Sequence, residues 1–374
     1  FDDDPYVVLS EGKLYWIIDA YTTSGFYPYS EPFSSMEKIG YDRGDLNQSL
    51  YSEVSRHLRG ENYIRNSVKI TVDAYSGEVN LYIFEEDDPI IQVYNRIFPG
   101  LLQPQSKMPE KLKNHVRYPS DMLLIQGLVY AKYHMTDPEV FYNQEDLWVR
   151  ATEKYYNNVQ PVEPYYIMWE PPESDETEFI LMLPFTPKDK QVMIGWIAGM
   201  CDDENYGRFL AYNFPKEKRV LGPQQVETKI DQDSYLSGQL TLWDQRGSNV
   251  IRGNVLAIPI NSTMLYVEPI YLQSETSAYP ELRLVAVMHN DNLSYAETFE
   301  DALTQLYKES EAVSEERITG EEAPEMRPDN RELINRANTA FENYLDLMQQ
   351  EKFREAGEAL EKLKQSLQQL SEEN

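Results

Sequence analysis

Val68-Lys69-Ile70-Thr71-Val72-Asp73-Ala74-Tyr75-Ser76-Gly77-Glu78-Val79-Asn80-Leu81-Tyr82-Ile83-Phe84 reads as two β-strands folded back on each other. Val68, Ile70 and Val72 alternate with Lys69 and Thr71, so three apolar side chains fall on one face of a pleated strand. Ser76-Gly77 supplies the turn. A similar pair precedes it: Tyr6 to Leu9 and Leu14 to Asp19, around Ser10-Glu11-Gly12-Lys13. The two units share an echo, Asp19-Ala20-Tyr21 and Asp73-Ala74-Tyr75, which hints at duplication. Residues 1–105 are therefore expected to form a β-rich N-terminal domain.

From there the period changes. Pro109 opens a short amphipathic segment, and Pro119-Ser120-Asp121 caps a longer one with Met122, Ile125, Val129 and Tyr133 at helical spacing. Asp137-Pro138-Glu139 starts a further helical turn, with Asp at the N-cap and Pro at the first helical position. Strands return between about 165 and 290. Tyr165 to Trp169 pairs with Glu178 to Phe185, and Val250 to Ile260 pairs with Met264 to Leu272 across Asn261-Ser262-Thr263. A helix is expected over Asp189 to Met200, strands at Arg208 to Phe214 and Leu282 to Met288, and a closing helix over Thr298 to Tyr307.

Residues 106–307 thus read as a second, α+β domain, and residues 308–330, Glu-rich with Pro324 and Pro328, as an acidic linker. Beyond it, Leu333, Ala337, Phe341, Tyr344 and Met348, then Phe353, Ala356, Leu360, Leu363 and Leu367, predict a helical hairpin within 331–374. One such hairpin cannot bury its own apolar face, so residues 331–370 are expected to dock on the body, a partner or a second copy as a homo-oligomer. The fold class is α+β: mixed, mainly antiparallel sheets with interleaved helices and a C-terminal helical hairpin.

Charge restricts function more than length does. The chain has 34 basic and 63 acidic residues, a net charge of −29. Such a field repels phosphate backbones, and the densest basic run, Lys216-Glu217-Lys218-Arg219, is broken by a glutamate, so no nucleic acid partner is expected. The single cysteine, Cys201, permits no internal disulfide, and the acids at 202–204 blunt it as a nucleophile. No apolar run approaches the roughly 18 residues of a membrane span. The abrupt start at Phe1-Asp2-Asp3-Asp4-Pro5 is that of a piece cut from something longer.

Motif chemistry is sparse. His57, His115, His134 and His289 have no zinc spacing, and neither a phosphate loop nor a serine elbow is present. No cofactor is expected, with calcium held open: Asp2-Asp3-Asp4, Glu85-Glu86-Asp87-Asp88 and Asp202-Asp203-Glu204 offer hard oxygens, without the spaced calcium-loop pattern. Asp202, Asp203 and Glu204 are the candidate ligands; solvated acidic turns are the competing reading. In Trp243-Asp244-Gln245-Arg246-Gly247-Ser248-Asn249-Val250-Ile251-Arg252-Gly253, Arg246 and Arg252 can clamp a carboxylate or phosphate, or else pair internally with the abundant acids. Trp243 and His134 complete the candidate ligand-binding set. Twenty-eight tyrosines against 13 phenylalanines suit sugar or peptide recognition, or a sheet whose hydroxyls reach water.

Several ordered blocks carry a family resemblance: Tyr15-Trp16-Ile17-Ile18-Asp19-Ala20-Tyr21-Thr22-Thr23, Tyr63 to Lys69, Tyr133 to Tyr142, Met182 to Pro187, Gln239 to Ser248 and Leu265 to Pro269. They resemble the large soluble region of the bacterial membrane proteins of uncharacterised protein family 0182, over roughly residues 5–307. The resemblance implies N-terminal transmembrane helices outside this chain, which would be its first partner, and a soluble region facing outside the cytoplasm at the cell membrane. It implies no activity and transfers no functional residue. The expected function is an extracytoplasmic binding or interaction domain, with an envelope glycan or protein as partner. The alternatives are a carboxylate-dependent envelope enzyme acting on glycan or peptide, and a scaffold assembling the membrane part.

Overall fold

The computed structural model describes residues 1–33, 58, 60–155, 158–171, 176–202, 205–215, 217–244, 247–260, 263–274 and 279–308, with 339 and 362. Phe1–Leu306 forms one compact unit and Tyr307–Asn374 a second. The expected linker and C-terminal hairpin lie, but for residues 308, 339 and 362, outside the described residues.

The first sheet orders β1 (Tyr6–Ser10), β2 (Lys13–Ser24), β3 (Tyr63–Asp73), β4 (Val79–Ile83) and β5 (Leu102–Pro104) consecutively. All neighbours are antiparallel except β4 and β5. The β1–β2 turn has two residues, Glu11 and Gly12, with φ of 51° and 78°; this mirror-image turn matches the twist of the flanking strands. The predicted Val68, Ile70 and Val72 face exists, packed at one end under Ile91 of α1 (Pro89–Ile97). Its opposite face is buried too, at Lys69, Thr71 and Asp73. The alternation marks two environments there, not inside and outside. The Asp-Ala-Tyr echo is no structural repeat: Asp19 is mid-strand opposite Lys69, whereas Asp73 ends β3 and accepts the N–H groups of Tyr75 and Ser76.

Next come α2 (Glu110–Lys113), α3 (Ser120–Tyr133) and α4 (Pro138–Asn143), where Asp137 caps as expected by accepting from Glu139 and Val140. Then follow β6 (Trp148–Arg150), the hairpin β7 (Thr152–Tyr155) with β8 (Asn158–Pro161), β9 (Tyr165–Trp169), β10 (Glu178–Pro187), β11 (Val192–Met193), β12 (Gly195–Met200), β13 (Phe209–Asn213) and β14 (Val220–Leu221). The second sheet runs β13-β12-β10-β6, with β9 also on β10. The helix expected over Asp189 to Met200 is instead β11 and β12. All six residues of β12 are buried, because the strand has cover on both faces. Ile197 packs with Leu123 and Ala131 of α3, while Trp196, Ala198 and Met200 join the core of the third sheet. A two-sided strand reads as an unbroken apolar run, which the sequence alone does not distinguish from a helix. The glycines in it are demanded by packing: a Cβ on Gly199 would lie 2.2 Å from the Tyr118 ring.

Two helices absent from the sequence reading, α5 (Pro223–Gln232) and α6 (Ser234–Trp243), lead to the third sheet. It comprises β15 (Ser248–Arg252), β16 (Leu256–Ile260), β17 (Thr263–Ser274), β18 (Glu281–His289) and β19 (Asn292–Ala296). The single strand expected over Val250 to Ile260 is two, β15 and β16, both paired with β17. The break falls at Gly253, whose N–H donates to the Pro269 carbonyl at 2.8 Å and whose missing Cβ would meet Pro269 at 2.7 Å. Residues 299–308 form the closing helix, capped by the Thr298 hydroxyl and seated through Ala302 and Leu306. The α+β class is thus observed: mixed, largely antiparallel sheets with helices between them. No described helix is long and apolar enough to cross a membrane.

Candidate functional site: a tyrosine-walled cavity

After β2 the chain turns through Phe26-Tyr27-Pro28-Tyr29, a run dense in aromatic surface. Asn62, just ahead of β3, holds this loop. Its amide donates to the carbonyls of Tyr27 (2.8 Å) and Ser30 (3.1 Å), and its carbonyl accepts the Tyr27 N–H at 3.0 Å. The Ser30 hydroxyl returns a bond to the Asn62 carbonyl at 3.0 Å. Tyr27 is stacked on Tyr63, with centroids 5.6 Å apart and planes 16° from parallel. Fixed in this way, the loop leaves Phe26 93% exposed and Tyr29 fully exposed. Large aromatics held in water by a hydrogen-bonded clamp are surface built for contact.

Behind the loop lies a cavity of about 730 Å³. Its far wall is the predicted stripe of α3, Met122, Ile125, Val129 and Tyr133, with Phe209 of β13 closing the end. Leu123, Gly127 and Ala131 are three residues of a second stripe, which packs α3 on the sheet; a Cβ at Gly127 would press on Ile197 and Phe185 at 3.1 Å. Among the described wall residues Arg65 is the only lysine or arginine. The wall carboxylate, Glu31, accepts from Lys132 Nζ and the Tyr133 hydroxyl, each at 2.8 Å. Burial opposes its ionisation, yet these two donors hold the carboxyl below its ordinary range. A smaller cavity of about 390 Å³ adjoins, sharing Tyr27, Pro28, Tyr63 and Arg65 and edged by Glu85 and Asp87. Asp88 there is committed: it accepts from Thr22, Ser67, Tyr63 and the N–H of Ile90, capping α1.

The residues singled out from sequence occupy separate places. Arg252 turns inward, binding Glu268 through Nε and Nη2 and Asp231 through Nη1. Trp243 ends α6 against the third-sheet core, with the Arg283 guanidinium 5.4 Å from its ring. His134 caps α3, packs its ring 4.6 Å from that of Trp148 and shares Nδ1 with the Tyr130 carbonyl. Asp202 accepts the Phe179 N–H at 2.6 Å. Arg246, Asp203 and Glu204 lie outside the described residues, among which no metal-holding group of three His, Cys, Asp or Glu occurs. Cys201 is buried, which pushes its thiol up to about 11.

Two carboxylate groups line neither cavity. Asp2 accepts from Tyr21 and from the Asp121 N–H, and burial beside Asp2 pushes Asp121 up to about 7. Glu153, Glu227 and Glu268 meet where β7, α5 and β17 converge. Sequence reading missed the loop, Asn62 and both carboxylate groups. The one local signal was the density of aromatics at 26–29.

Fold and site define an α+β protein with an aromatic cavity and a preorganised aromatic rim. A family model, uncharacterised protein family UPF0182, matches residues 1–243. The chain belongs to this family. It is 44% identical over 374 residues to a UPF0182 protein of Pelotomaculum thermopropionicum, covering 100% of this chain and 38% of the relative. A UPF0182 protein of Desulforamulus reducens is 49% identical over 310 residues, covering 83% and 31%. One from Trichodesmium erythraeum is 43% identical over 375 residues, covering 100% and 40%. The chain therefore spans well under half the length of these relatives. No solved structure matches.

Proposed function

We propose that this chain is the ligand-binding part of a membrane protein, a non-enzymatic interaction module facing outside the cytoplasm, with the tyrosine-walled cavity as its site. The observation that carries the reading is the clamped aromatic loop over a cavity of about 730 Å³. Tyrosine rings give large contact area at small entropic cost, and their hydroxyls and the Arg65 guanidinium supply direction. Among the described wall residues Glu31 is the one carboxylate, and its two donors favour its ionised form. Carboxylate catalysis on a glycan needs a second carboxyl facing the same space, one of the pair with a raised pKa. Among the described residues the carboxyls with raised values, Asp121, Glu153, Glu227 and Glu268, line neither cavity, which favours binding over hydrolysis.

Placement outside the cytoplasm rests on the acidic surface and the family resemblance. It is tested by replacing exposed Tyr142 with cysteine in the full-length membrane protein and labelling intact cells with an impermeant maleimide; buried Cys201 supplies little background. Labelling before permeabilisation is expected, and labelling only afterwards sinks the placement. Binding is tested by a thermal-shift screen of envelope glycans, peptides and calcium. A ligand at 100 times its Kd stabilises by roughly 2.7 kcal/mol, well within detection.

A further inference from the structure

The third sheet carries a buried charge imbalance. Glu153 and Lys154 sit on β7, Glu227 and Asp231 one turn apart on α5, Arg252 at the end of β15 and Glu268 on β17. Arg252 binds Glu268 in bidentate fashion and also Asp231, the latter at 2.5 Å. Lys154 Nζ takes the other oxygen of Asp231 at 2.6 Å. Both cations are spent on two of the four carboxylates. Glu227 is left with the Lys154 backbone N–H, 2.8 Å from each of its oxygens, and Glu153 with the Val255 N–H at 3.0 Å. Both side chains are wholly shut off from water.

Among the described residues no further cation is paired with Glu153 or Glu227. Glu163 faces Glu153 as a further acid, and its partner Arg150, at 3.3 Å, also donates to the Val162 carbonyl. Gln160 is neutral. Four carboxylates against two cations leave two negative charges in a dry space, where uncompensated charge costs several kcal/mol. The cluster relieves the cost by retaining protons or by opening.

We propose that the Glu153–Glu227–Glu268 cluster is a proton-operated latch joining β7 to α5, closed while two of its carboxyls carry protons and released when they ionise. Burial and the neighbouring glutamates push Glu153 up to about 7 and Glu227 up to about 8, which sets the window. In an opened state both ionise near the ordinary value of about 4.3. Raising pH from 5 to 8 thus strips protons first from the open form, and opening becomes up to about tenfold easier per pH unit for each proton.

The test is hydrogen exchange on the intact chain between pH 5 and 9, corrected for intrinsic rates, comparing segments 152–161 and 223–232 with β10 and β12. Protection of the two latch segments is expected to fall at least tenfold more than that of β10 and β12, and Glu227→Gln or Glu153→Gln to flatten the difference. Equal pH dependence in all segments overturns the proposal, as does a difference unchanged in both variants. Carbon NMR titration of the glutamate carboxyls in the unmutated chain gives an independent reading. Two buried carboxyls titrating near pH 7 to 8 support the latch, and all titrating below pH 5.5 overturn it.

Discussion

Lys69 and Asp19 are cross-strand partners in the N-terminal sheet, and ammonium meets carboxylate with both side chains shut off from water. The Phe84 and Tyr206 rings lie 5.6 and 5.1 Å from the ammonium, and the Arg117 carbonyl accepts from it at 3.5 Å. Breaking such a pair strands one buried charge. Lys69→Met or Asp19→Asn is expected to cost about 3–5 kcal/mol in urea unfolding. The double variant Lys69→Met/Asp19→Leu should cost much less than the two singles added. Additive losses would show that the pair is not coupled.

Asp121 gives a prediction with a definite sign. Its folded-state carboxyl is raised to about 7 from an ordinary 3.8, so its stabilising proton is present at acid pH and is lost as pH climbs through 7. Relative to Asp121→Asn, which cannot ionise, wild type is expected to lose stability progressively between pH 4 and 7. The slope should approach 1.4 kcal/mol per pH unit within that window. Denaturation midpoints of both proteins across this range check it, and parallel curves would remove Asp121 from the pH response.

Gly199 faces the Tyr118 ring with no room for a methyl group. Gly199→Ala should cost at least about 3 kcal/mol, beyond the usual range for overpacking, because the obstacle is a buried ring flanked by α3. Pairing it with Tyr118→Leu is expected to recover part of the loss. Thermal unfolding of Gly199→Ala, Tyr118→Leu and the double variant decides the point.

Asn62 predicts a split between stability and binding. Asn62→Ala removes three hydrogen bonds to the aromatic loop and should destabilise by about 1–3 kcal/mol, since the freed carbonyls and N–H lie near water. Ligand affinity should fall by more than that loss implies, because Tyr27 and Tyr29 lose their fixed geometry. Asn62→Asp, which keeps the acceptor but sets a carboxylate oxygen against the Tyr27 and Ser30 carbonyls, should be at least as damaging as Ala in both calorimetry and unfolding.

What the sequence revealed follows the range of the forces involved. Local signals read correctly: the Glu11-Gly12 turn, Asp137-Pro138 opening α4, Thr298 opening the helix over 299–308. Asp88-Pro89 is the same N-terminal signal as Asp137-Pro138, yet it sits in an acidic run that masks it as a cluster of oxygens. Val192 to Met200 misled because both faces are covered, one by α3 and one by the third sheet, and that cover is supplied from far along the chain. Arg252 was visible as an unusual cation in an acidic chain; that its partners are Glu268 and Asp231 is fixed only by β-sheet register and the placing of α5. The site itself joins Tyr27 to Asn62, 35 residues away, and no period in the sequence links them. The stripe of α3 was legible as apolar, but whether it faced a core or a cavity was not.

The most direct test concerns the aromatic rim. Phe26→Ala/Tyr29→Ala removes two exposed rings without touching the core, so the fold should survive with its unfolding midpoint nearly unchanged. In a thermal-shift comparison against envelope glycans, peptides and calcium, at least one ligand is expected to raise the wild-type midpoint and to lose most of that shift in the double variant. A ligand that shifts both proteins equally, or a panel that shifts neither, would contradict the cavity as the binding site.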